Sequence, residues 1–228
     1  MRPRLLDLFC GAGGAAMGYH RAGFDVVGVD INPQPNYPFE FIQGDAMQLL
    51  RNYRALGFCP FDVIHASPPC PRYSTITPAA TRGSHPDLVE PVREALADIG
   101  LPYIIENVVG APMLTGFILC GSMFGLKVRR HRLFESNVLI MPPVCDHASQ
   151  GQTWGVYGHG GGTTCRRPDG TNRGWKAKPS EFAGLMEMPW ALPQEIKLAI
   201  PPAYTEFIGT QLLAYLGTDR GVEGTHQL

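Results

Sequence analysis

The chain has 228 residues, 17% of them charged, and a formal net charge of -1. That length holds one α/β domain with a full core and at most a small appendage. A near-neutral balance excludes a polycation that grips nucleic acid by bulk charge, so any basic surface must be local, as at Lys127–Arg132 and at Arg166, Arg167, Arg173, Lys176 and Lys178.

Apolar stretches such as Tyr103–Val109 are too short to cross a bilayer, and Asp7 breaks the only apolar run near the start. The expectation is a cytosolic chain with no membrane partner. Six cysteines, at 10, 59, 70, 120, 145 and 165, show no framework spacing and are expected as free thiols.

In chain order, short β-like runs alternate with helix-like stretches from Arg4 to about Ile140, the pattern of a parallel sheet with crossover helices. The predicted strands are Arg4–Phe9, Asp25–Asp30, Phe39–Gln43, Asp62–Ala66, Tyr103–Asn107, Gly116–Cys120, Arg132–Phe134 and Val138–Ile140. The predicted helices are Ala15–Ala22, Ala46–Leu56 and Asp87–Ile99, the last with Leu88, Val92, Leu96 and Ile99 in one stripe. The fold class is therefore α/β: a Rossmann-like, mostly parallel sheet flanked by helices, with a small loop-rich lobe.

The first strand runs into Cys10-Gly11-Ala12-Gly13-Gly14, a turn of small residues that a ligand can approach closely. The spacing is not Gly-x-Gly-x-x-Gly. Asp30, followed by Ile31, ends the second strand where an adenosine ribose would offer its hydroxyls. Asp45 follows the third, where an adenine amino group would lie. Strand-end acids after a glycine turn fit S-adenosylmethionine better than a nucleoside triphosphate, which would want lysine or more backbone donors.

Further along, Ser67-Pro68-Pro69-Cys70 sits where a buried strand hands over to a loop, the position of a nucleophile. Glu106-Asn107-Val108 ends the next such run, at the same sheet edge. Beyond Met141 the texture changes. Glycine is frequent, apolar periodicity vanishes, and Trp154, Tyr157 and Trp175 stand among basic residues. Residues 141–179 thus read as a small recognition lobe, between residues 1–140 and a C-terminal part, 180–228, that packs back on the first. In that last part Ser180 is expected as an N-cap and Pro193 as a first helical residue. A final helix is expected over Tyr204–Leu216, with a frayed tail from Thr218.

Asp7-Leu-Phe-Cys-Gly-Ala-Gly-Gly14, Gly44-Asp45, Ser67-Pro-Pro-Cys70, Glu106-Asn107-Val108 and Arg130-His-Arg132-Leu-Phe134, in this order, resemble the motif series of the C5 cytosine DNA methyltransferases, and the short length resembles small phage-type members. The resemblance covers about residues 4 to 135. It implies an S-adenosylmethionine-dependent methyltransferase fold, DNA as partner, a monomer, and S-adenosylhomocysteine as product.

It also implies roles. Cys70 attacks carbon 6 of cytosine as a thiolate. Glu106 shares a proton with N3, Arg132 holds O2, and Arg130 supports the pocket or a phosphate. Phe9 lies against adenine; Gly11, Gly13, Ile31 and Pro68 complete the cofactor site with Asp30 and Asp45. Ser74 and Asn107 join Arg132 in binding the substrate. Since carbon 6 lies inside a base stack, the target must be flipped out or single-stranded. The same chemistry on RNA, and a DNA-binding protein that keeps the fold without chemistry, are the alternatives.

Three departures stand out: Pro71 replaces the usual glutamine after the nucleophile, Val128 replaces a glutamine before the first arginine, and Ile200-Pro-Pro-Ala-Tyr204 replaces the usual closing motif. The short lobe predicts a short target or loose context preference. Cys145, His147, His159 and Cys165 offer a conceivable zinc set, but their spacing matches no standard finger, and no metal is expected.

Overall fold

The structure, a computed structural model, describes residues 1–53, 61–74, 77–157, 164–166 and 172–223. Cys59, His159, the Gly158–Gly162 run, the end of the predicted helix at 54–56 and the tail from 224 lie outside the described residues.

Seven strands form the main sheet: β1 (Arg4–Leu8), β2 (Asp25–Asp30), β3 (Glu40–Gln43), β4 (Val63–Ala66), β5 (Tyr103–Asn107), β6 (Gly116–Leu119) and β7 (Arg132–Ser136), in the order β3-β2-β1-β4-β5-β7-β6. Strands β1 to β5 pair in parallel. The central β4 and β5 are buried along their whole length, which is why they read as continuous apolar runs rather than as alternation. Edge strand β3 exposes Glu40, Ile42 and Gln43.

Helix α1 (Gly14–Ala22) packs on one face against the long C-terminal helix α7 (Pro202–Glu223). Helices α2 (Ala46–Asn52) and α4 (Val89–Ile99) cover the other, and a short α3 (Ala79–Arg82) precedes α4. The α1–α7 approach is backbone-close: a Cβ on Gly18 would meet the Pro202 carbonyl oxygen and Thr205 Oγ1. Thr205 Oγ1 donates to the Ala15 carbonyl at 2.8 Å. Strand order turns outward in both directions from β1 and β4, so a crevice opens beyond their carboxyl ends, where an α/β sheet of this kind takes its ligands.

Strand β7 runs antiparallel to β5, with Glu106 opposite Phe134 and Asn107 opposite Leu133, and β6 pairs antiparallel with β7. This return brings Arg132 to the end of β5. A buried ion pair locks it to α4: Arg93 Nε and Nη2 meet the two Glu135 oxygens at 2.7 and 2.9 Å.

Several expectations change. Val138–Ile140 forms no strand, because Val138 N–H bonds Ser136 Oγ and Asn137 Oδ1 accepts from Tyr103 N–H, so side chains end the ladder. Ser180 is not an N-cap; it lies inside a 3-10 turn, Pro179–Glu181, before α5 (Phe182–Met186). Pro193 does open α6 (Pro193–Ile196), and α7 runs past Thr218 to Glu223. Within 141–179 a second sheet appears, order β8-β10-β9, from β8 (Trp154–Gly155), β9 (Thr164–Arg166) and β10 (Asn172–Lys176). No described helix is long and apolar enough to cross a membrane.

Candidate active site

Phe9 follows β1 at φ 56°, and Gly11 and Gly13 come next at φ 49° and 81°, so the chain turns away from the sheet through left-handed residues. Gly13 is the N-cap of α1, and a Cβ on it would press on Pro38 and Tyr37. A Cβ on Gly11 would meet no protein atom within 4 Å, because that face opens into a cavity of about 540 Å³. Phe9, Asp30, Ile31, Pro68, Cys70, Glu106 and Arg132 are among its lining residues.

Asp30 sits at its mouth, with Oδ2 accepting from Gly11 N–H at 3.1 Å and Oδ1 from Asn32 N–H at 2.9 Å. Each carboxylate oxygen keeps a lone pair for a further donor, so the acid fits a pair of ribose hydroxyls. A cavity of this size with a few placed polar groups suits a nucleoside-sized ligand.

Glu106, buried at the end of β5, pairs with Arg132 at 2.9 Å. Burial raises its pKa, against the opposing charge of Arg132, a hydrogen bond from Ser67 and the charge of Arg130. Ser67 Oγ lies 2.9 Å from His65 Nε2, and His65 Nδ1 lies 3.0 Å from the Tyr19 hydroxyl. Since Ser67 donates to the carboxylate, its oxygen accepts from His65 Nε2–H, and Tyr19 donates to Nδ1. Burial holds His65 neutral, with its pKa lowered to about 3.

Half-buried Cys70 follows Pro68 and Pro69 beyond β4. Burial raises its pKa; the charge of Arg132 opposes this, Glu106 reinforces it, and Arg130 opposes it more weakly. Cys10 also lines the cavity, but burial pushes its thiol up with Asp7 and Asp30 reinforcing, and no arginine offsets them. Arginine charge thus opposes burial at Cys70 and not at Cys10, which separates the two thiols.

Arg130 adopts φ 37° and anchors its guanidinium on the carbonyls of Val156 (3.1 Å) and Lys197 (2.6 Å). Its Nε is buried without a partner, and burial together with Arg132 lowers its pKa. The Tyr204 hydroxyl holds this turn by donating to the Arg129 and Arg130 carbonyls at 3.1 and 3.0 Å. A second cavity, about 730 Å³, opens beside it, lined by Ser74, His85, Arg130 and Thr153–Tyr157 among others. Cys70, Pro71, Arg132 and Leu198 line both cavities.

The family described as C-5 cytosine-specific DNA methylase matches residues 3–108, the stretch that carries the glycine turn, Cys70 and Glu106. That stretch is similar to the C5 cytosine DNA methylase family. Among curated proteins it is similar to the type II methyltransferase M.XorII of Xanthomonas oryzae pv. oryzae, 30% identical over 154 residues, covering 60% of this chain and 32% of that one. Similar too is the type II methyltransferase M.AgeI of Thalassovita gelatinovora, 27% identical over 133 residues, covering 53% and 31%. The chain spans about a third of the length of these curated relatives.

Its fold is that of solved methyltransferase structures. One, described as a DNA modification methyltransferase encoded within an E. coli prophage, superimposes with a TM-score of 0.64 at 16% identity, covering 94% of this chain and 99% of that one. The S. pombe Dnmt2 methyltransferase does so with a TM-score of 0.61 at 14% identity, covering 95% and 99%.

Not every residue carried over from the C5 methylase motifs reaches a cavity. Asp45 Oδ1 accepts from Met47 and Gln48 N–H at 2.8 and 3.3 Å, so it caps α2, and it lines neither cavity. Asn107 also lines neither: its Nδ2 donates to the Pro68 carbonyl at 3.0 Å and its Oδ1 accepts from Val108 N–H, bracing the Cys70 loop. Gly13 shapes the turn from outside the lining. The sequence assigned no role to Asp7, buried against Tyr37 in the wall of the first cavity, or to Glu195, whose carboxylate takes the Asn36 amide at 3.0 Å. Asp7 opens the glycine-turn motif, whereas Glu195 belongs to no motif.

Proposed function

We propose that this chain transfers a methyl group from S-adenosylmethionine to C5 of cytosine in DNA, through a covalent adduct at Cys70. The observation that carries the reading is the shared wall: Cys70 and Arg132 line both cavities, so a nucleophile and its cation stand between a nucleoside-sized site and a second site open to a base.

Bound in the first cavity, S-adenosylmethionine supplies an electrophilic methyl group. Phe9 and Ile31 offer apolar surface to its adenine, and Asp30 accepts from the ribose. In the second cavity a flipped cytosine meets Cys70, whose thiolate bonds to carbon 6 while Glu106 gives a proton to N3. The ring becomes an enamine with a nucleophilic C5. Arg132 stabilises the thiolate before attack and bonds O2, and Arg130 buttresses it from the Val156 and Lys197 carbonyls. C5 takes the methyl group as S-adenosylhomocysteine leaves; a base then removes the C5 proton, the electrons expel the Cys70 thiolate, and N3 returns its proton to Glu106. Residues 141–179 act as the recognition lobe, since Thr153–Tyr157 form part of the base-side wall.

DNA carrying 5-fluorocytosine tests this directly, because fluorine cannot leave as a proton. A protein–DNA adduct stable to denaturant is expected with S-adenosylmethionine present, and none with Cys70→Ala. Methylation by Cys70→Ala at the wild-type rate would refute the mechanism. Matched DNA and RNA oligonucleotides in competition decide the acceptor.

A further inference from the structure

Four potential metal ligands converge at the root of the recognition lobe. Cys120 follows β6, His131 precedes β7, and Cys145 and His147 lie on the segment leaving the catalytic part; one ligand atom from each lies within 4.8 Å of all the others. His147 Nε2 is 3.3 Å from Cys120 Sγ and 3.0 Å from Cys145 Sγ, and His131 Nε2 is 3.6 Å from Cys145 Sγ.

We propose that Cys120, His131, Cys145 and His147 bind one zinc ion in a closed tetrahedral site. A tetrahedron with Zn–S of about 2.3 Å and Zn–N of about 2.05 Å sets sulfur–nitrogen separations of roughly 3.5 Å, the range found here. Two sulfurs converge on one ring nitrogen, which has a single lone pair or a single proton to offer. Hydrogen bonding at that nitrogen serves one sulfur at a time, whereas a cation at the centre serves all four ligands. Ser122 Oγ, 3.3 Å from Cys120 Sγ and 3.5 Å from Cys145 Sγ, supplies the outer donor that zinc thiolates favour.

Four protein ligands leave no open position, so the ion is structural, and coordination releases both thiol protons. Zinc balances the two thiolates and ties three segments together. One of them is the turn where His131 stands between Arg130 and Arg132, so the metal positions both arginines and the lobe's entry. The sequence-based set shares only Cys145 and His147 with this site.

Elemental analysis of the purified full chain should find about one zinc per protein. Cobalt substitution should give the intense visible bands of a tetrahedral thiolate site. Cys145→Ser and His147→Ala should each lower bound metal at least about tenfold with the circular dichroism spectrum unchanged. Cys165→Ser should retain full metal. Wild type without zinc and with only the weak spectrum of octahedral cobalt would overturn the assignment. So would a Cys120–Cys145 disulfide by mass, metal unchanged in Cys145→Ser and His147→Ala, or metal lost in Cys165→Ser.

Discussion

Asp7 shows how a single buried carboxyl ties the wall of the first cavity to the stability of the fold. It lies fully buried near the end of β1, and burial pushes its pKa up to about 8; a hydrogen bond from Tyr37 opposes this, while the charges of Asp30 and Glu106 reinforce it. Its Oδ1 is buried without a partner, which suits a group that stays neutral. Between the ordinary carboxylate range and about pH 8, the folded state keeps a proton that the unfolded chain gives up. The stability contributed by that proton is therefore whole in acid and lost as pH rises through 8. Each pH unit in that window is worth about 1.4 kcal/mol. Denaturant titrations from about pH 5 to 8 should show the wild type losing a few kcal/mol relative to Asp7→Asn. Parallel curves would mean that Asp7 does not hold its proton. At this scale Cys70, Glu106 and the two arginines were legible because their combination in order is uncommon. The hydrogen bonds of Asp45 to the start of α2 and of Asn107 to the Pro68 carbonyl were not legible, because a side chain that braces the backbone and one that faces a ligand look identical in sequence.

Elements were legible where burial is uniform. The parallel strands β1, β2, β4 and β5 are apolar runs between turns, and the stripe on α4 recurs at helical spacing. Strands β8 to β10 were not read, because the first is two residues long and the pairing of β9 with β10 shifts register. Arg93 on the buried side of α4 is explained mainly by partners distant in sequence, Glu135, 42 positions away on β7, and the Pro112 carbonyl. The α1–α7 contact gives the prediction at this level. Alanine favours a helix over glycine by about 1 kcal/mol, yet at Gly18 its methyl would strike the Pro202 carbonyl and Thr205. Overpacking of a tight contact costs about 1–3 kcal/mol. Gly18→Ala should therefore lower the unfolding free energy, measured in denaturant, instead of raising it.

At the scale of the whole molecule, segments far apart in sequence build the first cavity together. Trp190 Nε1 donates to the Ala12 carbonyl at 2.8 Å, and Gln194, Glu195 and Leu198–Ile200 close the wall opposite the glycine turn. The packing of residues 180–228 back on the first part was expected, but which of them close the cavity was not legible, because no local pattern marks Gln194, Glu195 or Leu198–Ile200. The partition in which Cys70, Pro71, Arg132 and Leu198 stand serves two chambers at once, so an occupant on one side alters the surface offered on the other. Linkage makes such influence reciprocal: if DNA strengthens the hold on S-adenosylhomocysteine by some factor, S-adenosylhomocysteine must strengthen the hold on DNA by the same factor, typically about 5- to 150-fold. Calorimetric titration of each ligand with and without the other should return matching ratios, and ratios of one would mean that the chambers are energetically deaf to each other.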